Sequence, residues 1–410
     1  MTTRRTFLKQ SLQGMAVVSL GLGVPGVFAK AAVAASSERS AGTARTLVVV
    51  QLAGGVDGLN TVVPYSDPLY RDSRPELALG ESDVLTIDDR VAFHPALTGF
   101  KSLLDSGQLV VVEGVGYANP TFSHFKAMDI WQSADPGGTA RDGWLGRYFE
   151  NLTDSSGHPL AGLSYGRRLP SAFESSQASV PSVGSLETFA LTGPQTRTSS
   201  LIEMYDVYRP TGSPFAALLD STLDTALVSS DYLAAAHSTY IPAVEYPESS
   251  LASGLRLLAE LIDSNGQATP LRVGHVMAGG FDTHTQQQTR LEPLLKDVDQ
   301  SISAFWQDVV AHGHGEDVLV MTWSEFGRRV GENAQLGTDH GSAAPMFLVG
   351  ERIKGGFHGE PPDLAHLDDG NLRYSVDFRS VYATVLEDWL GASATDILGG
   401  SFDKLNVIAV

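Results

Sequence analysis

The chain has 410 residues, of which 42% are hydrophobic, and its 28 basic and 47 acidic residues give a net charge of −19. So negative a chain repels phosphate backbones and anionic lipid headgroups, which excludes nucleic-acid binding and adhesion to anionic membranes as expected functions. Cysteine is absent, which excludes disulfides, a thiolate nucleophile and zinc held by cysteine.

The first predicted element is a targeting segment. Residues 3–9 contain two adjacent arginines, residues 14–28 are weakly apolar, and residues 29–35 are mostly small. This order is typical of a twin-arginine signal peptide, and we expect cleavage near residue 35. The apolar run is too short and too rich in glycine to span a bilayer, so no membrane span is expected after cleavage.

Export follows as an expectation from this segment. The twin-arginine translocase is the expected partner during export, and the periplasm or the cell exterior is the expected location. Four of the 28 basic residues and none of the acidic ones lie in residues 1–35, so cleavage leaves a net charge of −23. The twin-arginine route carries folded proteins, often with their cofactors inserted, which suits a metalloprotein.

Apolar strands alternate with helical patterns along the rest of the chain. The pattern predicts an α/β fold, namely a doubly wound, mostly parallel sheet with helices on both faces. The predicted strands are residues 46–52, 109–115, 272–277, 318–322 and 346–349. The predicted helices are residues 95–105, 122–132, 286–311 and 378–390.

The middle of the chain differs in composition from the flanking regions. Residues 151–215 are rich in serine, glycine, proline and threonine and have weak periodicity, whereas residues 215–236 and 250–262 have a helical pattern. We therefore predict one domain over residues 44–405 with an irregular or helical insertion, or cap, at about 151–270.

The first candidate site residues follow the first two predicted strands. Asp57 lies in a glycine-flanked loop, where it is either a ligand for a divalent cation or a turn residue accepting local N–H groups. Ser123, beside His124, lies where a loop enters a helix. It is either a hydroxyl nucleophile at the positive end of that helix or simply the helix cap.

Further acidic and imidazole side chains follow the later strands. Asp282 and His284 are two residues apart in an extended loop, where both can bind zinc or a similar ion; the alternative is an exposed polar turn. Glu325 ends a strand as a candidate ligand. Arg328 can either bind an oxyanion or form a salt bridge with Glu325.

The pair Asp339-His340 is the strongest single candidate. Two adjacent side chains that can bind metal stand between glycines, just before the last predicted strand. The alternative is a polar turn held by local hydrogen bonds. Because ligands bind at the carboxyl ends of strands in open α/β sheets, we expect these candidates to converge.

These motifs together resemble an exported bacterial family, the domain of unknown function 1501, along nearly the whole mature length. The family in turn is similar to the alkaline phosphatase and sulfatase superfamily. The matching segments are GGVDGLNTVVPYSDPLY (54–70), FHPAL (93–97), SHF (123–125), GWLGR (143–147), GGFDTH (279–284), SEFGR (324–328), GTDHG (337–341) and DFRSVYATVLEDWLG (377–391).

The resemblance implies a doubly wound sheet and a two-metal site for phosphoryl or sulfuryl transfer. It implies metal-binding roles for Asp57, Asp282, His284 and His340, and a nucleophilic role for Ser123 or, second, Thr121. The superfamily's strand-ending Asp-His pair falls here on Ser324-Glu325, so one imidazole is missing, and Asp339 is an additional carboxylate.

The sequence therefore predicts an exported, metal-dependent hydrolase-like protein acting on a phosphate or sulfate ester of a small molecule or glycan. The expected metal ligands are drawn from Asp57, Asp282, His284, Glu325, Asp339 and His340, with Arg328 steadying the transferred group. This carboxylate-rich set leaves the divalent ion open among Zn²⁺, Mg²⁺, Ca²⁺ and Mn²⁺. The alternative is a non-catalytic exported protein for binding or assembly that retains a degenerate site.

Overall fold

The structure is a computed structural model that describes residues 45–152, 160–176, 178, 180–184, 240–264 and 271–409. The predicted signal peptide, the predicted helix at 215–236 and most of the predicted insertion at 151–270 lie outside the described residues. None of the helices in the described part combines the length and the apolar character that a bilayer span requires.

Nine strands of the described residues form one central sheet. They are β1 (Thr46–Leu52), β5 (Leu109–Gly116), β6 (Gly162–Tyr165), β7 (Ser182–Val183), β8 (Val273–Ala278), β9 (Val318–Trp323), β12 (Ala344–Val349), β13 (Gly356–His358) and β14 (Val376–Asp377). Their order in the sheet is β13-β5-β12-β9-β1-β8-β6-β7, with β14 paired to β5. Six of the pairings are parallel, and only β12 runs antiparallel to its neighbours β5 and β9.

Two small sheets and nine α-helices complete the described elements. A hairpin is formed by β10 (Gly327–Glu332) and β11 (Thr338–Gly341), and a second small sheet by β2 (Val62–Val63), β4 (Ala92–Phe93) and β3 (Leu85–Thr86). The helices are α1 (Gly58–Thr61), α2 (Pro68–Ser73), α3 (Thr98–Asp105), α4 (His124–Ser133), α5 (Trp144–Asn151), α6 (Ser250–Ser264), α7 (Gln287–Ala311), α8 (Phe378–Thr384) and α9 (Ala394–Leu398).

Both faces of the central sheet are covered, which explains the uninterrupted apolar strands. Every residue of β1 and β9 is buried. Helices α4, α5, α8 and α9 pack on one face, and α3, α6 and α7 pack on the other. The predicted doubly wound, mostly parallel α/β fold is confirmed.

The predicted elements differ from the structure in two main places. Helix 378–390 is divided, because α8 ends at Thr384 and a π-helical turn, Val385–Trp389, follows. Within the segment expected to be irregular, β6 and β7 extend the edge of the main sheet. Strands of four and two residues are too short to produce a readable alternation, so the sequence pattern missed them.

The reversed direction of β12 positions the candidate site. Because β12 is antiparallel, its first residue, Ala344, pairs with Val115 near the carboxyl end of β5. The β10–β11 hairpin, which leads into β12, therefore lies at the same edge of the sheet as the loops that follow the parallel strands. That edge is where open α/β sheets bind ligands.

Candidate metal centre

Three segments meet around Asp282 at this edge. The loop after β8 carries Asp282 and His284, the start of α4 carries His124, and β11 carries His340. Ligand atoms of His124, Asp282 and His340 all lie within 4.8 Å of one another, the spacing of a metal site. His284 contacts two of these three residues.

Each of the three imidazoles turns its Nε2 toward the Asp282 carboxylate. The distance from Nε2 to the nearer Asp282 oxygen is 3.5 Å for His124, 3.1 Å for His284 and 3.2 Å for His340. The Nε2 atoms of His284 and His340 are 2.9 Å apart. Two nitrogen atoms that bind one zinc ion tetrahedrally at about 2.0–2.1 Å stand roughly 3.3 Å apart, so the two rings would move apart by a few tenths of an ångström around a bound ion.

The opposite ring nitrogen of each histidine is held by an oxygen. Nδ1 of His124 lies 2.8 Å from Oε1 of Glu325, and Nδ1 of His284 lies 3.0 Å from Oδ1 of Asp339. Nδ1 of His340 lies 2.7 Å from the carbonyl oxygen of Phe122. A carbonyl oxygen only accepts, so His340 donates from Nδ1, and anchoring of this kind fixes the orientation of metal-binding imidazoles.

The charges at the centre favour a bound cation. Partial burial acts to raise the pKa of Asp282, but hydrogen bonds from Arg328 and His340 outweigh it and lower this pKa to about 2. Burial is the largest influence on His340 and lowers its pKa. When His340 is neutral and donates from Nδ1, its Nε2 carries a lone pair that a metal ion beside the ionised Asp282 carboxylate would accept.

Two glycines allow the segments to approach this closely. Gly54 has φ +124°, and a side chain there would overlap the backbone of Phe281 and Asp282. A side chain at Gly337 would overlap the backbone of His284. Glycine at these two positions thus lets the β1 loop and the hairpin pack directly against the loop that carries Asp282.

Arg328 has a position that does not match the expected role of steadying a transferred group. Its side chain is buried, and its nitrogens donate to four backbone carbonyl oxygens and, at 2.7 Å, to Oδ1 of Asp282. Because every nitrogen is already engaged, Arg328 is a positioning residue that ties the surrounding loops together and orients Asp282. Arg328 does form a salt bridge, the alternative role expected from the sequence, but its partner is Asp282 rather than Glu325.

Asp57 lies outside the cluster. It caps α1 by accepting from the N–H groups of Leu59 and Asn60, and it forms a buried ion pair with Arg74 at 2.6 Å. The side-chain amide of Gln287 also donates to it. The structure thus gives Asp57 the cap role that its sequence context left open and engages both carboxylate oxygens away from the histidines.

Glu325 and Asp339 lie behind the imidazoles instead of at the centre. Glu325 is fully buried, accepts from the backbone N–H of Gly54 at 2.9 Å, and holds His124. Asp339 is half exposed, accepts from the amide of Asn333, and holds His284. These two predicted ligands therefore occupy the positions of supporting carboxylates.

Ser123 lies beside the cluster, at the N-cap of α4. Its side chain is exposed and makes no capping hydrogen bond to the helix. It directly precedes His124, one of the clustered residues, in sequence. The ring of Phe326 closes the other side, with centroids 4.9 Å from that of His124 and 4.6 Å from that of His340.

His124 is the site residue that sequence reasoning missed. The sequence pattern favoured the neighbouring Ser123 instead, because a serine at the start of a helix is a recognised position for a nucleophile. The available signal was that this histidine follows β5 at the same sheet edge as the other candidates. The sequence could not reveal that the first turn of α4 faces Asp282.

Comparison by sequence identifies one family. Residues 110–391 match the model of the family described as "Protein of unknown function (DUF1501)". No curated protein matches the chain.

Several solved structures resemble the fold at low identity. A protein in the alkaline phosphatase superfamily from Vibrio parahaemolyticus is 8% identical, with a TM-score of 0.38 over 85% of this chain and 74% of that one. The lipoteichoic acid synthase LtaP from Listeria monocytogenes is 10% identical, with a TM-score of 0.39 over 97% and 82%. The C-terminal periplasmic domain of EcEptC from Escherichia coli, in complex with Zn, is 11% identical, with a TM-score of 0.37 over 77% and 75%.

Proposed function

The chain belongs to the DUF1501 family, and for this member we propose a divalent metal ion held by Asp282, His124, His284 and His340 that serves the hydrolysis of a phosphate or sulfate ester. The observation that supports this proposal is the shared orientation of the three imidazoles. Each has Nδ1 on an oxygen and Nε2 toward one ionised carboxylate. Histidines that bind metal almost always hold their second ring nitrogen on an oxygen in this way.

The donor set favours a transition metal over a hard alkaline-earth ion. Imidazole and carboxylate are both ligands that zinc takes, and zinc can expand to five-fold coordination, which would leave a position for water or the ester beside these four side chains. Imidazole also suits other first-row metals. Mg²⁺ and Ca²⁺ prefer sets made only of oxygen. Of the four ions left open by the sequence, the proposal therefore favours Zn²⁺, with Mn²⁺ second.

A bound ion would polarise the ester oxygen and lower the pKa of bound water. Residues of the chain would orient the metal ligands, attack the ester and attract its negative charge. Arg328 and Glu325 would hold Asp282 and His124 in place, and Ser123 would offer its exposed hydroxyl as the nucleophile. The N-terminus of α4, with unpaired N–H groups, would attract the anionic ester.

The second candidate function is binding without catalysis. Asp57 and Glu325, two of the expected metal ligands, are engaged instead, Asp57 with Arg74 and Glu325 with Gly54 and His124. Phe122 and Phe125, on either side of Ser123 and His124, are 41% and 87% exposed. A reduced ligand set beside exposed aromatic rings would also suit retention of a ligand or glycan without turnover.

Export by the twin-arginine translocase to the periplasm or cell exterior is part of the proposal. Residues 1–35, which carry the adjacent arginines Arg4 and Arg5, support it. Export of the folded chain would allow metal loading in the cytoplasm before translocation.

Hydrolysis of model esters tests the proposed activity. The mature protein, stripped with a chelator and then loaded with one of Zn²⁺, Mn²⁺, Mg²⁺ or Ca²⁺, is assayed on p-nitrophenyl phosphate and p-nitrophenyl sulfate. We expect turnover with Zn²⁺ or Mn²⁺, at least about a hundredfold loss in His340→Ala, and loss in Ser123→Ala if the hydroxyl is the nucleophile. Ser82→Ala, at an exposed position of the 3₁₀ turn Glu81–Asp83, is the matched control.

The outcomes separate the two functions. Turnover that persists in stripped protein or in His340→Ala would refute the metal-dependent mechanism. A protein that binds metal yet hydrolyses neither ester would favour the binding function.

A further inference from the structure

A second site is suggested by a cavity of about 390 Å³ beside β5. None of the four residues proposed to bind metal lines it. Leu59, Val62, Pro345 and Leu372 form apolar parts of the wall, and Glu113 contributes a carboxyl group. A cavity of this volume suits a small molecule.

A bulge in β5 accounts for the unusual position of Glu113. The register between β5 and β12 shifts so that Glu113 and Gly114 together oppose the single residue Pro345. Gly114 has φ +65°, and Pro345 has no N–H to donate to β5. Bulges of this kind redirect side chains and are frequent beside functional sites. Here the bulge places a carboxyl group on the cavity wall.

One oxygen of the Glu113 carboxyl group, Oε1, lacks a hydrogen-bond partner among the described residues. The residue is 4% exposed, and no group of the described residues donates a hydrogen bond to Oε1. Burial raises the pKa of Glu113 to about 7, an effect that Arg90 opposes and Asp88 adds to. An unpaired buried carboxyl group destabilises the fold, so a ligand that satisfies it would recover part of that loss.

We propose that this cavity binds a small molecule carrying a protonated amine, with the ammonium donating to Glu113 and the hydrocarbon part against the apolar wall. The charges at the mouth favour a cation over an anion. Glu360 and Asp363 line it against one arginine, Arg373, and His366 is paired with Asp363 at 2.8 Å. An ammonium also supplies the donors and the opposite charge that Oε1 needs.

Saturation-transfer NMR with a matched pair of probes tests this site. Cyclohexylamine and cyclohexanol have nearly the same shape but differ in charge, and titrations are made at pH 8. At that pH Glu113 is mostly ionised and an alkyl ammonium remains protonated, since such groups titrate near 10. We expect wild-type protein to bind the amine at least about tenfold more tightly than the alcohol.

Two variants test whether the preference for the amine over the alcohol depends on the Glu113 carboxylate. Glu113→Gln should bind the amine and the alcohol equally, whereas Glu292→Gln, which alters an exposed acid on α7 that does not line the cavity, should keep the preference. The wild-type comparison decides the proposal even if a variant folds poorly. Equal binding of both probes to wild type, no binding of either, or an undiminished preference in Glu113→Gln would overturn it. The proposal does not depend on the metal centre.

Discussion

At the scale of single residues, the geometry of the metal centre depends on the oxygen atoms that hold Nδ1 of each imidazole. His124, His284 and His340 are oriented by three different oxygen acceptors, and two of these are carboxylates that sequence patterns suggest as direct ligands. Sequence spacing shows which residues follow a strand, but it does not distinguish a ligand from the residue that holds a ligand.

Asp339 gives a direct test of this supporting role. Asp339→Asn keeps the size of the side chain but removes the charge that holds Nδ1 of His284. Loss of a supporting carboxylate lowers metal affinity by about 10–100-fold, and we expect a loss in that range with little change in stability, because Asp339 is half exposed. Competition with a chelating dye measures the affinity.

The matched control for this substitution is Asp369→Asn. Asp369 is exposed and pairs with Arg329 rather than with a histidine. Equal affinities of both variants and wild type would show that Asp339 does not support the centre.

Glu113 gives a prediction about pH and stability. Its pKa is raised from 4.5 to about 7 in the folded chain, so the folded state binds more protons than the unfolded state between these values. Stability is therefore lost as the pH rises through that window. We expect Glu113→Gln to gain about 3 kcal/mol of unfolding free energy relative to wild type between pH 4.5 and pH 8.

Urea denaturation at the two pH values measures this gain. Glu360→Gln, with an exposed side chain, should show no such difference. A constant gap between Glu113→Gln and wild type at both pH values would mean that the Glu113 carboxyl group titrates normally.

At the scale of elements, the long buried strands were predictable and the small ones were not. Strands β1 and β5 show continuous β-branched runs because helices cover both faces of the sheet. The β10–β11 hairpin has charged side chains or a histidine at five of its ten strand positions and has no apolar alternation to mark it. The hairpin lies at the edge of the sheet that holds the site because β12 runs antiparallel. The alternation of strands and helices in the sequence predicts a mostly parallel sheet and does not show that this strand is reversed.

Asp57 helps to connect α1 to β10. Replacing it should lower the free energy of unfolding without removing the metal ion. Arg74 joins Asp57 on α1 to the backbone of β10 through Val330, with no exposure to solvent. Asp57→Asn keeps the helix cap but places an uncharged amide against this buried cation. Breaking a buried ion pair costs about 3–5 kcal/mol, so we expect a loss of that order in denaturant unfolding, with metal retained in the folded protein.

The control for this element is Asp67→Asn at the cap of α2. That carboxylate accepts from the backbone of Leu69, and no guanidinium pairs with it in the described structure, so the change should cost less than about 1 kcal/mol. If folded Asp57→Asn instead lost its metal, the ligand role expected from the resemblance would be restored.

At the scale of the whole molecule, the sequence predicted the α/β fold and the edge at which Asp282, His284 and His340 meet. Hydrophobic periodicity predicts the strands and helices, and the position of a residue just after a strand predicts the sheet edge at which it lies, even for residues far apart in sequence. The sequence could not predict that Arg74 neutralises Asp57, or that Arg328 is enclosed by backbone carbonyls, because these contacts join residues ten or more positions apart through packing alone.

Metal binding should stabilise the whole molecule. Its donors come from three separate segments, so an ion that binds only the folded chain shifts the unfolding equilibrium. At a free metal concentration of about 100 times Kd, the gain is about 2.7 kcal/mol. We expect Zn²⁺ to raise the Tm of chelator-treated wild type and to leave that of His124→Ala/His340→Ala unchanged. Equal shifts in both proteins would indicate unspecific binding to the acidic surface.

The most direct test of the metal centre is the metal content of protein purified without chelators, measured by inductively coupled plasma mass spectrometry. We predict about one transition-metal ion per chain in wild type and in Asp57→Asn, and almost none in the folded double variant His124→Ala/His340→Ala. A well-folded wild type without metal, or metal retained in the double variant, would contradict the account.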